Sequence, residues 1–179
     1  MPQKLDFITP TMLKILYLFH EKPQQELHER EVMRRAVTSK GSAGRTLKKL
    51  SQIGVLEKDK KGRMVFYRFN TKNAVARQFK VLFNVYSLNK LVNEVKQYCK
   101  KIILFGSCSE GTDTEESDID LFILTNEENI VGSKINSYQE VERKITPITV
   151  SSNEFVELRK KDKPLYDRIL KGIVLWETE

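Results

Sequence analysis

Apolar positions recur at helical spacing in the first part of the chain and give way to strand-like runs. Leu13, Leu16 and His20, with Ile15, Leu18 and Phe19, follow a helical period. Thr9 or Thr11 can cap this helix, Pro10 suits its first turn, and Pro23 stops it. Val32, Met33, Ala36 and Val37 form the stripe of a second, short helix. Thr38-Ser39 breaks that pattern and offers a hydroxyl cap to a third helix running to about Ile53. Ala43, Leu47 and Leu50, spaced by four and three, are its buried face, and Gly54 stands where a C-cap glycine would. Val55-Leu56-Glu57-Lys58 and Arg63 to Phe69 are β-rich runs around the polar tip Asp59-Lys60-Lys61-Gly62, which predicts a hairpin.

No Pro or Gly interrupts Asn73 to Tyr98. One stripe there is Val75, Phe79, Leu82 and Tyr86; a second, out of phase, is Leu88, Leu91, Val95 and Tyr98. The shift near Ser87 predicts a kink or two abutting helices. The stripes either pack on the flanking domains or form a homodimer interface. Lys101 to Phe105 then reads as a buried strand ending at Gly106-Ser107. Turn-formers and acids follow, and Ser117 to Leu124 reads as a second strand. The tail predicts helix interrupted at Pro164 and a last strand over Gly172 to Trp176.

Composition sharpens this picture. The chain has 179 residues, 40% hydrophobic and 31% charged, which fits one or two folded domains. The longest unbroken apolar run is Ile15 to Phe19, far short of a membrane span, and the first residues lack the apolar core of a signal peptide. Cys99 and Cys108 flank a strand and read as reduced thiols, so a cytoplasmic location is expected. Charge is uneven: residues 1–72 carry 16 Lys and Arg against 7 Asp and Glu, whereas residues 73–179 carry 15 against 17. The basic front half suits a polyanion partner.

The stretch Ala36 to Phe69 resembles a winged helix-turn-helix domain of bacterial and archaeal transcription regulators. The resemblance rests on the turn, Gly41-Ser42-Ala43-Gly44-Arg45-Thr46-Leu47-Lys48-Lys49-Leu50, then Gly54-Val55-Leu56 and a basic wing closing on Tyr67. It implies binding of double-stranded DNA. Lys40, Ser42, Arg45, Lys48 and Lys49 would face the major groove, and Lys60, Lys61 and Arg63, with Lys58, the phosphates.

The chemistry lies in the back half. Asp118 and Asp120 are two apart in a strand, so they point the same way from an otherwise apolar run. Such a pair repels itself and calls for a hard cation, of which Mg²⁺ is favoured. Gly106 lets a phosphate approach the backbone, and Ser107 adds a hydroxyl and an N–H. Gly106-Ser107, Gly111 and Ser117-Asp118-Ile119-Asp120-Leu121 resemble the signature of minimal nucleotidyltransferases of the DNA polymerase beta-like superfamily. The resemblance implies that Gly106 and Ser107 hold the triphosphate of an NTP, with ATP the first candidate. It also implies that Asp118 and Asp120 hold Mg²⁺ as catalytic residues, and that a nucleotidyl group passes to a protein or small-molecule hydroxyl. Some minimal nucleotidyltransferases act as antitoxins on a neighbouring helical toxin.

One departure stands out. The family places a third carboxylate on a later strand, matched here by Ile145 to Val150. Counting back from Glu154-Phe155 puts Thr149 in the acid's place, with Glu142 on a preceding helix, or Glu154, as substitutes. Two-metal chemistry needs that ligand. An alternative function follows, that of a transcription regulator whose inactive nucleotidyltransferase-like domain senses nucleotide or binds a partner. The chain is thus expected to be α+β: a winged helix-turn-helix over residues 1–72, a connector helix over 73–98 and a mixed α/β nucleotidyltransferase-like domain over 99–179.

Overall fold

A computed structural model describes residues 8–178, and these form eight α-helices and two β-sheets, an α+β architecture. The chain divides into two compact units, Met1–Lys80 and Val81–Glu179.

The first unit runs α1 (Pro10–Glu21), β1 (Leu27–His28), α2 (Glu29–Arg35), α3 (Lys40–Gln52), β2 (Leu56–Lys61) and β3 (Met64–Phe69). The Thr9 hydroxyl caps α1 by accepting from the Met12 N–H, and Ser39 caps α3 by accepting from the Ser42 N–H. β2 and β3 form the antiparallel hairpin, and β1 pairs with the other edge of β3. The two-residue β1 is too short to leave a periodic trace in the sequence. Met12, Ile15, Leu16 and Phe19 of α1 are buried, as are Ala43, Leu47 and Leu50 of α3 and Tyr67 and Phe69 of β3. Each fully buried Leu or Phe contributes roughly 1.5–3 kcal/mol.

The boundary between the units falls inside α4 (Ala74–Val95). This segment was expected to kink or split near Ser87, but it is one 22-residue helix. Its buried positions, Ala76, Lys80, Phe83, Asn84, Leu88, Leu91, Val92 and Val95, keep a single helical phase because Ala, Lys and Asn fill places that hydrophobicity alone skips. Val75, Leu82 and Tyr86, expected as a packed stripe, are 48%, 51% and 73% exposed.

The second unit adds a 3-10 turn and then β4 (Cys99–Phe105), α5 (Ser107–Glu110), β5 (Ile119–Thr125), α6 (Glu128–Ser137), β6 (Ile145–Val150), α7 (Ser152–Lys161), α8 (Lys163–Leu170) and β7 (Ile173–Glu177). Its sheet has the order β6-β5-β4-β7, with β5 parallel to β6 and the other pairs antiparallel. One face carries Ile102, Leu104, Ile119, Leu121 and Ile123, packed with Leu88, Leu91 and Val131. The other carries Ile103, Phe105 and Phe122, packed with Ile148, Phe155, Leu165 and Ile169. Pro147 is tolerated because β6 is an edge strand. Both cysteines are buried thiols. Among the described residues, no helix is long and apolar enough to cross a membrane.

Val37, at the α2–α3 turn, has φ +49° and is 86% exposed. A β-branched residue in this left-handed region costs about 1–2 kcal/mol, against roughly 0.5–1 kcal/mol for glycine's extra unfolded-state freedom. Val37→Gly is therefore expected to stabilise the protein by about 0.5–1 kcal/mol in chemical denaturation; lower stability would refute the strain.

Candidate functional site

The strand β4 ends on Phe105, and the chain turns at Gly106 into α5. Gly106 has φ +69°, and a Cβ there would lie 2.5 Å from Asp120 Oδ2. Both the backbone conformation and the approach of the carboxylate thus require glycine. Ser107 opens α5; the Ser109 hydroxyl donates to the Gly106 carbonyl at 2.7 Å, and Gly111, in the left-handed region, closes the turn. Gly106 and Ser107 thereby lie at the same end of the sheet as Asp120.

Asp118 immediately precedes β5 and is exposed; Asp120 lies within β5 and is partly buried. Alternation puts both on one face, as expected. Asp120 is the cross-strand partner of Phe105. Partial burial pushes its carboxyl up from the usual range; the Arg168 guanidinium opposes that shift, and the Asp118 charge adds to it. Arg168, on α8, holds its Cζ over the Phe105 ring, 5.8 Å from the ring centre. It therefore sits on the Asp120 face of the sheet. No motif in the sequence points to Arg168.

The position of the missing third acid shifts with the strand register. Thr149 pairs with Ile123, and alternation places it on the face opposite Asp120. The residue beside Asp120 on β6 is Thr146, whose hydroxyl donates to Asp118 Oδ2 at 3.0 Å. Neither proposed substitute fits. Glu142 lies in a bend after α6, not on a helix. Glu154 closes the capping box of α7, accepting from the Ser151 N–H and hydroxyl at 2.7 Å each, and these bonds hold its carboxyl below the usual range. Among the described residues, no group of three His, Cys, Asp or Glu could hold a metal. The donor set is two carboxylates on one face, which fits a hard cation that keeps waters and shares substrate phosphates.

A buried polar network anchors the loop between Gly111 and Asp118. Asp113 is 3% exposed and accepts from Arg143 Nη1 at 2.7 Å and Asn84 Nδ2 at 3.1 Å. Asn84 also donates to the Cys108 carbonyl at 2.9 Å, and its own Oδ1 accepts from Arg143 Nη2 at 2.7 Å. The Cys108 thiol reaches the Asp118 carbonyl at 3.5 Å. Asn84 thus braces the start of α5, and Asp113 the middle of the loop leading to the carboxylates.

In the first unit, Arg45, Lys48 and Lys49 are exposed on α3 opposite Ala43, Leu47 and Leu50; Lys40 is exposed to one side and Ser42 is half-buried. Lys60 and Arg63 are exposed at the hairpin. Lys61 pairs with Glu26 and lies 4.0 Å from Asp59. In β2, Glu57, Asp59 and Lys61 alternate with Lys58 and Lys60, so one face of the wing carries acids and the other only lysines at these positions.

Two outcomes follow for the site. Asp120 is raised on folding, so the native state holds more protons than the unfolded chain, and its ionisation lowers stability as pH rises from the unfolded value through the folded one. Asp120→Asn should therefore melt higher than wild type at neutral pH without metal and flatten this pH dependence; an unchanged melting profile would contradict it. Arg143→Ala, which removes a charged partner of buried Asp113, should cost about 2–3 kcal/mol in denaturation; a loss below about 0.5 kcal/mol would show the network to be inessential.

The family described as "Polymerase beta, Nucleotidyltransferase" matches residues 89–179, a stretch that contains Gly106, Ser107, Asp118 and Asp120. No curated protein matches the chain. Among solved structures, a "Possible transcriptional regulator from Methanosarcina mazei Go1" is similar at 16% identity, over 51% of this chain and 79% of that one, with a TM-score of 0.37. At that score the likeness carries no argument. The family match covers half of the chain and coincides with the strand–glycine–helix turn and the paired carboxylates, and the chain belongs to the polymerase beta nucleotidyltransferase family.

Proposed function

We propose that the second unit binds an NTP together with Mg²⁺ and that the first is a winged helix-turn-helix module that binds duplex DNA, making the protein a nucleotide-responsive regulator. The observation that carries the nucleotide reading is the turn at Gly106. With no side chain there, the Asp120 carboxylate packs against the turn, which sets the backbone of Gly106 and Ser107 beside the carboxylate pair. Gly106 and Ser107 face the triphosphate, and Asp118 and Asp120 hold the cation. When bound, Mg²⁺ supplies charge neutralisation on the phosphate oxygens. Thr146 at the third-acid position supports retention of the nucleotide over its turnover.

The DNA reading is supported by Arg45, Lys48 and Lys49 on the outward face of α3, a helix of the size that enters a major groove. On the wing, Lys58, Lys60 and Arg63 are the residues for phosphates; Lys61 is engaged by Glu26.

A second reading, transfer of NMP to a protein or small-molecule hydroxyl, is favoured by the intact same-face pair Asp118 and Asp120. In that case Thr146→Asp should raise the rate of label transfer from NTP, whereas Thr149→Asp should not. Equal effects would dissociate Thr146 from the chemistry.

Calorimetric titration tests the main reading. Mg·ATP or another NTP should bind wild type, require the metal, and fail to bind an Asp118→Asn/Asp120→Asn variant. No binding of any NTP would refute it. Duplex DNA affinity should fall steeply with salt, and Lys58→Ala, Lys60→Ala and Arg63→Ala should each reduce the log–log slope by about 1. A salt-independent affinity would remove the phosphate contacts from the account.

A further inference from the structure

The second unit holds a charge arrangement that two-metal chemistry does not need. Two-metal sites set a pair of cations about 3.5–4 Å apart, one of which activates the attacking oxygen. That arrangement takes a third acidic ligand. Here the residue beside Asp120 is Thr146, and its hydroxyl is already donated to Asp118. A neutral hydroxyl contributes no charge toward a second cation, and this one occupies a lone pair of the carboxylate that would share it. The residues fit one cation and not two.

A single divalent cation offsets the two carboxylates and leaves the charge of a triphosphate unbalanced. The same face carries a fixed cation in reach of that charge. Arg168 projects from α8 and lies over the ring of Phe105, the cross-strand partner of Asp120. A guanidinium held by a cation–π contact can still meet phosphate oxygens as a planar fork. Asp162 caps α8 by accepting from the Leu165 N–H at 3.0 Å, and Ile169, next to Arg168, is fully buried, so the helix that presents the guanidinium is fixed at both places. α8 therefore places a guanidinium on the Asp120 face of the sheet.

We propose that the site takes one divalent cation per chain, held by Asp118, Asp120 and the nucleotide's phosphates, and that Arg168 supplies from the protein the remaining positive charge on those phosphates. This inference rests on the nucleotide-binding reading above and adds its metal count and an arginine ligand. It makes Arg168 a nucleotide-binding residue and ties the absence of the third acid to a site built to hold a metal–nucleotide.

The test counts Mn²⁺ by electron paramagnetic resonance on the full chain with a non-hydrolysable ATP analogue; Mn²⁺ stands in for Mg²⁺ as an oxygen-seeking octahedral ion. One nucleotide-dependent Mn²⁺ per chain is expected. Arg168→Gln should weaken analogue binding by about tenfold, the size of one lost charge-assisted hydrogen bond, with its melting temperature monitored. Arg168→Lys, which keeps the charge and loses the fork, should fall between the two. Two Mn²⁺ per chain would overturn the single-cation site while leaving nucleotide binding in place. One Mn²⁺ with undiminished affinity in a folded Arg168→Gln would remove Arg168 from the site. Failure of the analogue to bind wild type at all would overturn the nucleotide reading itself.

Discussion

Asp118 and Asp120 put like charge on one face of one strand, and the surrounding residues are arranged about that repulsion. Partial burial makes the pair costlier still, since a buried carboxylate loses hydration that only a partner can replace. Thr146 donates to Asp118, and the Arg168 charge opposes the upward shift of Asp120. Gly106, with no Cβ, makes room for the Asp120 carboxylate to pack against the turn. A site that already concentrates negative charge is suited to a cation that brings further oxygen ligands.

The pair can hold its place because the loop before it is secured from within. Asp113 is buried with Arg143 and Asn84, and Asn84 in turn grips the Cys108 carbonyl. A buried charge pair contributes less to net stability than its Coulomb energy suggests, because both ions lose water. Its value here is positional: a loop rich in turn-formers and acids would otherwise have many conformations. The network links α4, the loop after α5 and the segment before β6, so β5 and β6 are brought into register at the carboxylates.

Much of this was legible in the residues. Ser39 before Lys40, Gly54 after α3, and the apolar runs of β4 and β5 have local causes, and local causes leave local patterns. The Asp-x-Asp spacing placed two carboxylates on one face by alternation alone. The third-acid position did not follow from counting, because register is set by pairing between strands. Counting back from Glu154-Phe155 led to Thr149, whereas the pairing of β5 and β6 sets Thr146 beside Asp120. α4 seemed broken because Ala76, Lys80 and Asn84 occupy buried positions that an apolar stripe does not register. Asn84, Asp113 and Arg143 are far apart in the chain, and Arg168 lies in an unremarkable basic helix. Only the tertiary fold gives these residues a shared environment.

The proposed metal–nucleotide site joins the turn at Gly106 to the carboxylates of β5. A crystal structure of the full chain with Mg²⁺ and a non-hydrolysable NTP analogue tests it most directly. Density for a cation is expected between Asp118 and Asp120, with the triphosphate along the backbone of Gly106 and Ser107. A nucleotide bound elsewhere on the chain, or bound with no cation at the two carboxylates, would contradict it.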